Sequence, residues 1–237
     1  MNLNDYFEPV SLEKQKGYPV SGNTLFGRNI RVHTASNPID EISNYHLAII
    51  GVPEDRLPLN TGSAGSPDLV RQKLYDLYRV NDKLNIIDLG NLKQTATPED
   101  SYYGIRDVMT DLLNNQVTAI VIGGTQDVTR GMFMAYEQRT SIVNLVNIDS
   151  RIDLEEGSQA GASWILPVMN SPKLFRFTCL GQQQYLTNQV HVELLERKGF
   201  DVVRLGTLRS NLLMSEPFLR DAHLVSFDIT AIKQSEA

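Results

Sequence analysis

The stretch of sequence at 118–127, TAIVIGGTQD, sets the first expectation for the fold. The β-favouring run TAIVI is followed directly by two glycines and then by polar residues. A short apolar run that ends at glycines is typical of a strand that is buried on both faces. In α/β proteins the turns after such strands lie at the carboxyl edge of the sheet, where ligands bind. This stretch therefore predicts one strand of a parallel sheet with a polar rim.

Similar apolar runs alternate with helical patterns on both sides of this stretch. Further strands are predicted at 46–52 (HLAIIGV), 85–89, 141–148, 175–180, 201–205 and 223–228. Helices are predicted at 67–78, 98–115, 126–139, 187–199 and, interrupted by Pro217, at 208–220. In the first helix Leu69, Val70, Leu74 and Leu77 share one face. The alternation predicts a three-layer α/β/α fold with a mainly parallel sheet.

The first 45 residues show no sustained period and contain several glycines and prolines. They are expected to form an N-terminal extension that packs on a single α/β domain at 46–237. No apolar run in the sequence is long enough to cross a bilayer.

Composition narrows the classes of function. The chain has 237 residues, 41% of them hydrophobic, with 22 Lys and Arg against 28 Asp and Glu, a net charge of −6. This charge disfavours a general nucleic-acid-binding role, and no membrane association is expected. Cys179 is the single cysteine, so no internal disulfide forms, and a reducing, cytoplasmic setting is expected. Cys179 lies in an apolar run, which favours a core position over a reactive thiol.

Three carboxylates follow predicted strands. Asp149 and Asp153 come after the strand at 141–148, and Asp228 ends the strand at 223–228. Like charges that converge at one edge need a metal ion, an arginine or a lysine to compensate them. The competing interpretation is that each aspartate caps a turn after its strand.

The ordered motifs GVPEDR, GSPDLVR, VIGGTQD, NIDSRIDLEEG and VSFDITAI resemble those of the arginase/agmatinase/formimidoylglutamase family, the ureohydrolases. The resemblance covers about residues 46–237 and is nearest to the formimidoylglutamase-like branch. It implies a hydrolase that uses two manganese ions to cleave a C–N bond of a guanidino or formimino group. It also implies association into a homo-oligomer.

The ligand positions that the resemblance implies are only partly kept. Asp149, Asp153 and Asp228 match aspartate ligands, whereas Gln126, Arg151 and Thr230 replace two histidines and an aspartate. An arginine cannot ligate a metal but can pair with carboxylates, so we expect an Arg151–Asp network in place of the metals. No cofactor is expected; any metal that binds is expected to be manganese, held weakly by the three aspartates. Asn147, Ser158 and Ser163 are candidate contacts for a small guanidino or formimino ligand.

Family members continue beyond the last motif with a helix and a strand that enters the interior of the sheet. The resemblance therefore implies that these C-terminal elements are lacking here and that the sequence is a fragment. The tripeptide Asp221-Ala222-His223 resembles a metal motif but precedes its strand, at the wrong end for the site.

Three functions remain open at this point. The first is a ureohydrolase homologue that is non-catalytic or weakly active. The second is a hydrolase of a guanidino or formimino C–N bond with an altered single-metal or metal-free site. The third, a nucleotide-binding domain, has little support because no G-x-G-x-x-G motif is present.

Overall fold

The computed structural model describes residues 1–11, 25–56, 61–154 and 163–233. The chain divides into two compact units, Met1–Gly131 and Met132–Ala237, and the division falls inside one helix. Each unit contains its own β-sheet.

The strands are β1 (Phe7–Glu8), β2 (Arg31–Val32), β3 (Leu47–Val52), β4 (Ile86–Leu92), β5 (Thr118–Gly123), β6 (Val143–Ile148), β7 (Leu174–Gln182), β8 (Asp201–Arg204) and β9 (Leu224–Phe227). The helices are α1 (Ser66–Leu74), α2 (Pro98–Asn114), α3 (Val128–Arg139), α4 (Ile165–Met169), α5 (Gln189–Arg197), α6 (Leu205–Ser210) and α7 (Glu216–Arg220). No helix among the described residues is long and apolar enough to cross a membrane.

The sheet of the first unit is built around β3 and β4. These two strands pair in parallel, and β5 pairs in parallel with the other edge of β3. At the far edge of β4, β1 pairs antiparallel and β2 pairs parallel. Two strands from the predicted N-terminal extension therefore belong to this sheet.

The sheet of the second unit has the order β8-β7-β6-β9, and all its pairs are parallel. Alternate residues of β6 face two apolar clusters. Val143 and Leu145 belong to the larger cluster, which contains side chains of α3, α4 and α5. Val146 belongs to the smaller one, with Leu208 of α6. Helices thus cover both faces of this sheet, as the uninterrupted apolar runs predict.

The predicted fold class, α/β with mainly parallel sheets, is confirmed, and the predicted strands and long helices form close to their predicted bounds. The weakest helix prediction, 208–220, is replaced by α6, a 3-10 turn (Leu212–Ser215) and α7. Pro217 lies in the first turn of α7, where its missing N–H costs no helical hydrogen bond.

Helix α1 differs from the expectation for an amphipathic helix. Leu69 and Leu77, at 63% and 57% exposure, face away from the core, and Arg71 is fully buried. The reason is an ion pair across the unit: the Arg71 guanidinium bonds both carboxylate oxygens of Asp88 on β4, at 2.8 and 2.9 Å. Because of this bidentate hydrogen bond, the side of α1 that carries Arg71 faces the core.

Candidate functional site

The carboxyl edge of the second unit brings two predicted aspartates together. Asp149 follows β6 and Asp228 follows β9, and the final pair between these parallel strands joins Ile148 to Phe227. The Asp228 N–H donates to the Ile148 carbonyl at 3.0 Å, which extends the pairing by one residue. The strand register therefore positions both carboxylates at the same point of the rim.

Asp149 is buried, with 2% of its surface exposed. Its Oδ1 atom accepts two hydrogen bonds, from the Arg151 backbone N–H at 3.0 Å and from the Thr230 hydroxyl at 3.2 Å. The first bond closes a local turn, and the second comes from the segment after β9. Asp149 thus caps its own turn and also links the two strand ends.

Asp228 is partly buried and caps the 3-10 turn Ile229–Ala231. Its Oδ1 accepts the Thr230 backbone N–H at 2.7 Å. Thr230 therefore donates its backbone N–H to Asp228 and its hydroxyl to Asp149. One threonine bridges two of the three predicted carboxylates.

Asp153 lies one short turn further along the chain. Its Oδ2 accepts the indole N–H of Trp164 at 3.0 Å. Trp164 is 2% exposed and belongs to the larger core cluster of this unit, which also contains Ile152 and Leu154. The carboxylate therefore lies beside this apolar cluster, and the Trp164 indole is the polar partner described for it.

Burial and mutual repulsion raise the pKa values of these carboxyl groups. For Asp153, burial is the main cause and the negative charge of Asp149 the second, and together they raise the pKa to about 7. Burial is also the main cause of the raised pKa of Asp149, opposed by the Arg151 N–H and reinforced by the charge of Asp228. Asp149 and Asp228 are joined through Thr230, and the charges of both raise the pKa of Asp153; a functional role for the three aspartates stays a prediction.

The predicted Arg151–Asp network does not form among the residues described. The Arg151 side chain is exposed, and no ion pair within 4.0 Å joins its guanidinium to Asp149, Asp153 or Asp228. Its charge lowers the pKa of Asp153 only as a minor influence. The reason is local: the turn uses the Arg151 backbone N–H to cap Asp149, and the side chain remains in solvent.

The three candidate ligand contacts differ in their positions. Asn147 is fully buried on β6, and a hydrogen bond from its side chain lowers the pKa of Asp149, so it adjoins the cluster. Ser163 is partly buried and directly precedes Trp164. Ser158 lies outside the described residues. A substrate contact by any of them stays a prediction.

Cys179 occupies the core position that the sequence predicts. It is fully buried on β7, and its Sγ atom lies 3.7 Å from the Arg151 carbonyl oxygen. Burial, with the charges of Asp149 and Asp153, raises the pKa of the thiol well above its usual range. A thiol in this environment stays protonated and is a poor nucleophile.

Gln126 belongs to the first unit, in the turn between β5 and α3, and is partly buried. Its carbonyl accepts the Thr129 N–H at 3.0 Å, which begins the helix. The turn is tight because Gly124 lies against the Glu54 backbone, where a Cβ atom would collide with the carbonyl. This contact explains one glycine of the Gly123-Gly124 pair.

Two polar clusters near this turn were not anticipated from the sequence. Asp127 is buried, accepts the Tyr102 hydroxyl and has a pKa raised mainly by burial. Glu54 is buried and paired with Arg56, whose hydrogen bonds outweigh burial and lower the pKa of the carboxyl. The only signal in the sequence was the polarity of these strand ends. Ser101 is far from Glu54 in sequence, and Tyr102 is far from Asp127, so the sequence did not reveal these two hydrogen bonds.

No group of three or more His, Cys, Asp or Glu side chains among the described residues is arranged so that it could hold a metal ion. In the second unit, His223 lies at the opposite end of β9 from Asp228, and its Nδ1 accepts a backbone N–H. Asp149, Asp153 and Asp228 instead accept hydrogen bonds from protein donors.

With this fold and this rim of aspartates, the chain belongs to the arginase family, whose model matches residues 45–237. Among curated proteins it is similar to the formimidoylglutamase of Salmonella arizonae, 28% identical over 104 residues. That match covers 42% of this chain and 33% of the relative, so the chain matches about a third of the relative's length.

Solved structures of related enzymes share the fold. The N114H variant of Trypanosoma cruzi formiminoglutamase, a structure with Mn²⁺, superposes with a TM-score of 0.75 at 19% identity, over 83% of this chain and 74% of that one. Bacillus subtilis formimidoylglutamase superposes with a TM-score of 0.71 at 15% identity, over 87% of this chain and 76% of that one. At these identities the superpositions establish the fold alone.

Proposed function

We propose that this chain is a formimidoylglutamase-like member of the arginase family whose metal site is degenerate and which is non-catalytic or weakly active. One observation supports the proposal most directly: Thr230 donates to both Asp149 and Asp228. Two carboxylates that would have to face a metal ion are thereby joined by a protein donor. Under this proposal, the chain folds without manganese.

The chemistry of the substituted positions supports the same proposal. Gln126 offers a neutral amide, Arg151 a guanidinium with no lone pair to donate, and Thr230 a hydroxyl that is already engaged. Manganese prefers carboxylate and imidazole ligands, and the resemblance assigns such ligands to these positions. Three carboxylates alone, each with protein hydrogen bonds, form a weak site for one cation.

A second function is favoured by the raised pKa values of Asp149 and Asp153. Carboxylates that repel one another gain from binding a cation, and a guanidino or formimino group is positively charged. In this alternative the chain hydrolyses a guanidino or formimino C–N bond with an altered single-metal or metal-free site. Asp149, Asp153 and Asp228 would then hold the cation or the positive group of the substrate, and Asp153 and Asp228 are both partly exposed.

The experiment that separates the two is a hydrolysis assay of the purified chain with formiminoglutamate, arginine and agmatine, with and without Mn²⁺. The proposal predicts rates indistinguishable from those of the Asp228→Asn variant. Turnover that Asp228→Asn abolishes would contradict it and support the alternative. Asp201→Asn, a change on the distant edge strand β8, is the matched control for loss of charge.

A gain-of-function variant tests the degeneracy itself. Arg151→His and Thr230→Asp together restore, within the second unit, the ligand types that the resemblance assigns to these two positions. We expect this double variant to bind manganese more tightly than the natural chain in a Mn²⁺ titration followed by electron paramagnetic resonance. Equal affinity of the two proteins would mean that these two residues do not disable the site.

Cellular setting and assembly are further parts of this proposal. We place the chain in the cytoplasm, as a homo-oligomer without nucleic-acid or membrane partners. Analytical ultracentrifugation at micromolar concentration tests the assembly, and a purely monomeric chain would contradict it.

A further inference from the structure

Two histidines occupy equivalent positions in the two units. His46 directly precedes β3, and His223 directly precedes β9. Each lies opposite an asparagine at the start of the neighbouring strand, Asn85 beside β4 and Asn144 in β6. The arrangement recurs in two separate sheets, although the surrounding sequences differ.

Two hydrogen bonds join the first histidine to its asparagine, and a third joins the asparagine to the residue two positions before the histidine. The His46 backbone N–H donates to the Asn85 carbonyl at 2.8 Å, and the Asn85 backbone N–H returns a bond to His46 Nδ1 at 2.9 Å. The Asn85 side-chain amide then donates to the Asn44 carbonyl at 3.1 Å. Backbone and side chains together fix the register at the start of β3.

The second histidine repeats every one of these bonds. The His223 N–H donates to the Asn144 carbonyl at 2.9 Å, and the Asn144 N–H donates to His223 Nδ1 at 3.1 Å. The Asn144 amide donates to the Asp221 carbonyl at 3.0 Å. In each case the amide reaches the residue two positions before the histidine. We call these two arrangements the His46 clamp and the His223 clamp.

The donors determine the protonation state of each ring. A backbone N–H can only donate, so Nδ1 of His46 and of His223 must carry a lone pair, and the neutral rings hold their proton on Nε2. His33 is the opposite case: its Nδ1 lies 2.8 Å from the Leu89 carbonyl oxygen and must donate. A second proton therefore leaves the His33 bond intact but removes the acceptor of both clamps.

We propose that the two clamps are proton-sensitive latches on strand pairing. Protonation of Nδ1 breaks the bond from the asparagine N–H and places two donors face to face. The His223 clamp has the larger consequence, because β9 has four residues and carries Asp228 and Thr230 just beyond its other end. Acidification is expected to loosen β9 from its amino end and so the Thr230 bridge with it.

The charged surroundings of the two rings differ. The His223 ring contacts Tyr136 of α3 edge to face, with centroids 6.3 Å apart, and Tyr136 interacts with the charge of Arg139. Asp221 lies two residues before His223, with an exposed side chain. The contacts described for His46 involve Asn44, Asn85 and the Thr118 backbone N–H, none of which titrates.

The test combines NMR of the histidine rings with hydrogen exchange on the full chain. At pH 8, long-range ¹H–¹⁵N correlation is expected to show the Nε2–H form for His46 and His223 and the Nδ1–H form for His33. When Nδ1 of a clamp histidine is protonated, the hydrogen-exchange protection of the Asn85 or Asn144 backbone amide that it accepted from should fall by about fivefold. This factor corresponds to the free energy of one net hydrogen bond.

Matched variants keep the test decisive. His223→Asn places Oδ1, an acceptor that does not titrate, where Nδ1 was, so Asn144 protection should become independent of pH between 5 and 8. His223→Ala should lower that protection at every pH, while the Asn85 amide keeps the wild-type profile in both variants. An Nδ1–H form at His223, or the same pH profile in wild type and His223→Asn, would overturn the proposal.

Discussion

Buried carboxylates occur in both units, and among the described residues those that pair with an arginine, Asp88 and Glu54, lie in the first unit. Asp88 and Arg71 are both 0% exposed and form a two-bond pair, and Tyr75 adds a third bond to the carboxylate at 2.9 Å. In the second unit, the donors described for Asp149 and Asp153 are neutral N–H and O–H groups, and the two carboxylates repel each other.

The two units differ in the positive charge that lies next to their buried carboxylates. Burial lowers the pKa of Arg71, but the charge of Asp88 outweighs it and the net pKa is raised. At Asp153 the charge of Arg151 is only a minor influence, and burial with the charge of Asp149 raises the pKa to about 7. A complete ion pair keeps its carboxylate charged inside the protein, whereas carboxylates that repel one another hold their protons to higher pH.

The largest effect is expected from breaking the complete pair. Arg71→Met leaves Asp88 buried without its cation and should lower the unfolding free energy of the first unit by about 3–5 kcal/mol. Urea unfolding of the full chain measures the loss. Arg106→Met, at a partly exposed pair with Asp107, is the control and should cost at most about 1 kcal/mol. Equal losses in the two variants would show that the buried pair has no special weight.

The next effect concerns the unpaired cluster and its pH dependence. The pKa of an Asp carboxyl is about 3.9 in an unfolded chain. The pKa of Asp153 is about 7 in the folded chain, so the folded chain holds one extra proton between these two pH values. Stability should therefore fall as pH rises through that window, by up to about 1.4 kcal/mol per unit.

Asp153→Asn removes this titration and is expected to flatten the slope of stability against pH. Urea unfolding at pH 5, 6, 7 and 8 measures it in both proteins. Asp201→Asn should leave the slope as in wild type. A slope that persists unchanged in Asp153→Asn would contradict the assignment.

A smaller effect is expected at the indole donor. Trp164→Phe keeps most of the apolar contact but removes the N–H that lowers the pKa of Asp153. The titration midpoint of Asp153, followed by its ¹³C carboxyl shift, should rise further above about 7, and stability should drop by about 1–3 kcal/mol at pH 8. The drop should be smaller at pH 5, where Asp153 is protonated in both proteins. Identical losses at the two pH values would be inconsistent with a bond to a charged acceptor.

The smallest effect is expected at the bridge. Thr230→Val removes the hydroxyl that bonds Asp149 but keeps the backbone N–H that bonds Asp228. Thermal unfolding should show a loss of about 0.5–1.5 kcal/mol. Thr34→Val, whose hydroxyl bonds the neighbouring Ser36, is the control. If both variants lose the same unfolding free energy, the Thr230 hydroxyl contributes no more to stability than the Thr34 hydroxyl does.

The strands and long helices were predictable because their signals are local. The apolar run 47–52 forms the buried strand that its pattern predicts, whereas the similar run 118–123, expected to be buried on both faces, is only partly buried. Thr97 with Asp100 forms a capping box that starts α2. The convergence of Asp149 and Asp228 was predictable as well, because parallel strands end at one edge.

Side-chain direction was not predictable in the same way. Periodicity placed the leucines of α1 inward, but Arg71 is buried because Asp88, 17 residues away, offers it a bidentate partner. Arg151 was expected to neutralise its neighbours, yet a backbone cap satisfied the turn and left its side chain in solvent. Both outcomes depend on contacts between segments, which one sequence does not reveal.

The most direct test of the account is the manganese content of the purified full chain. The protein is incubated with millimolar Mn²⁺, exchanged into metal-free buffer and measured by elemental analysis. A carboxylate cluster held by Thr230 and Trp164 predicts no retained manganese, and one ion per chain would favour the single-metal alternative. Two ions per chain would contradict the account.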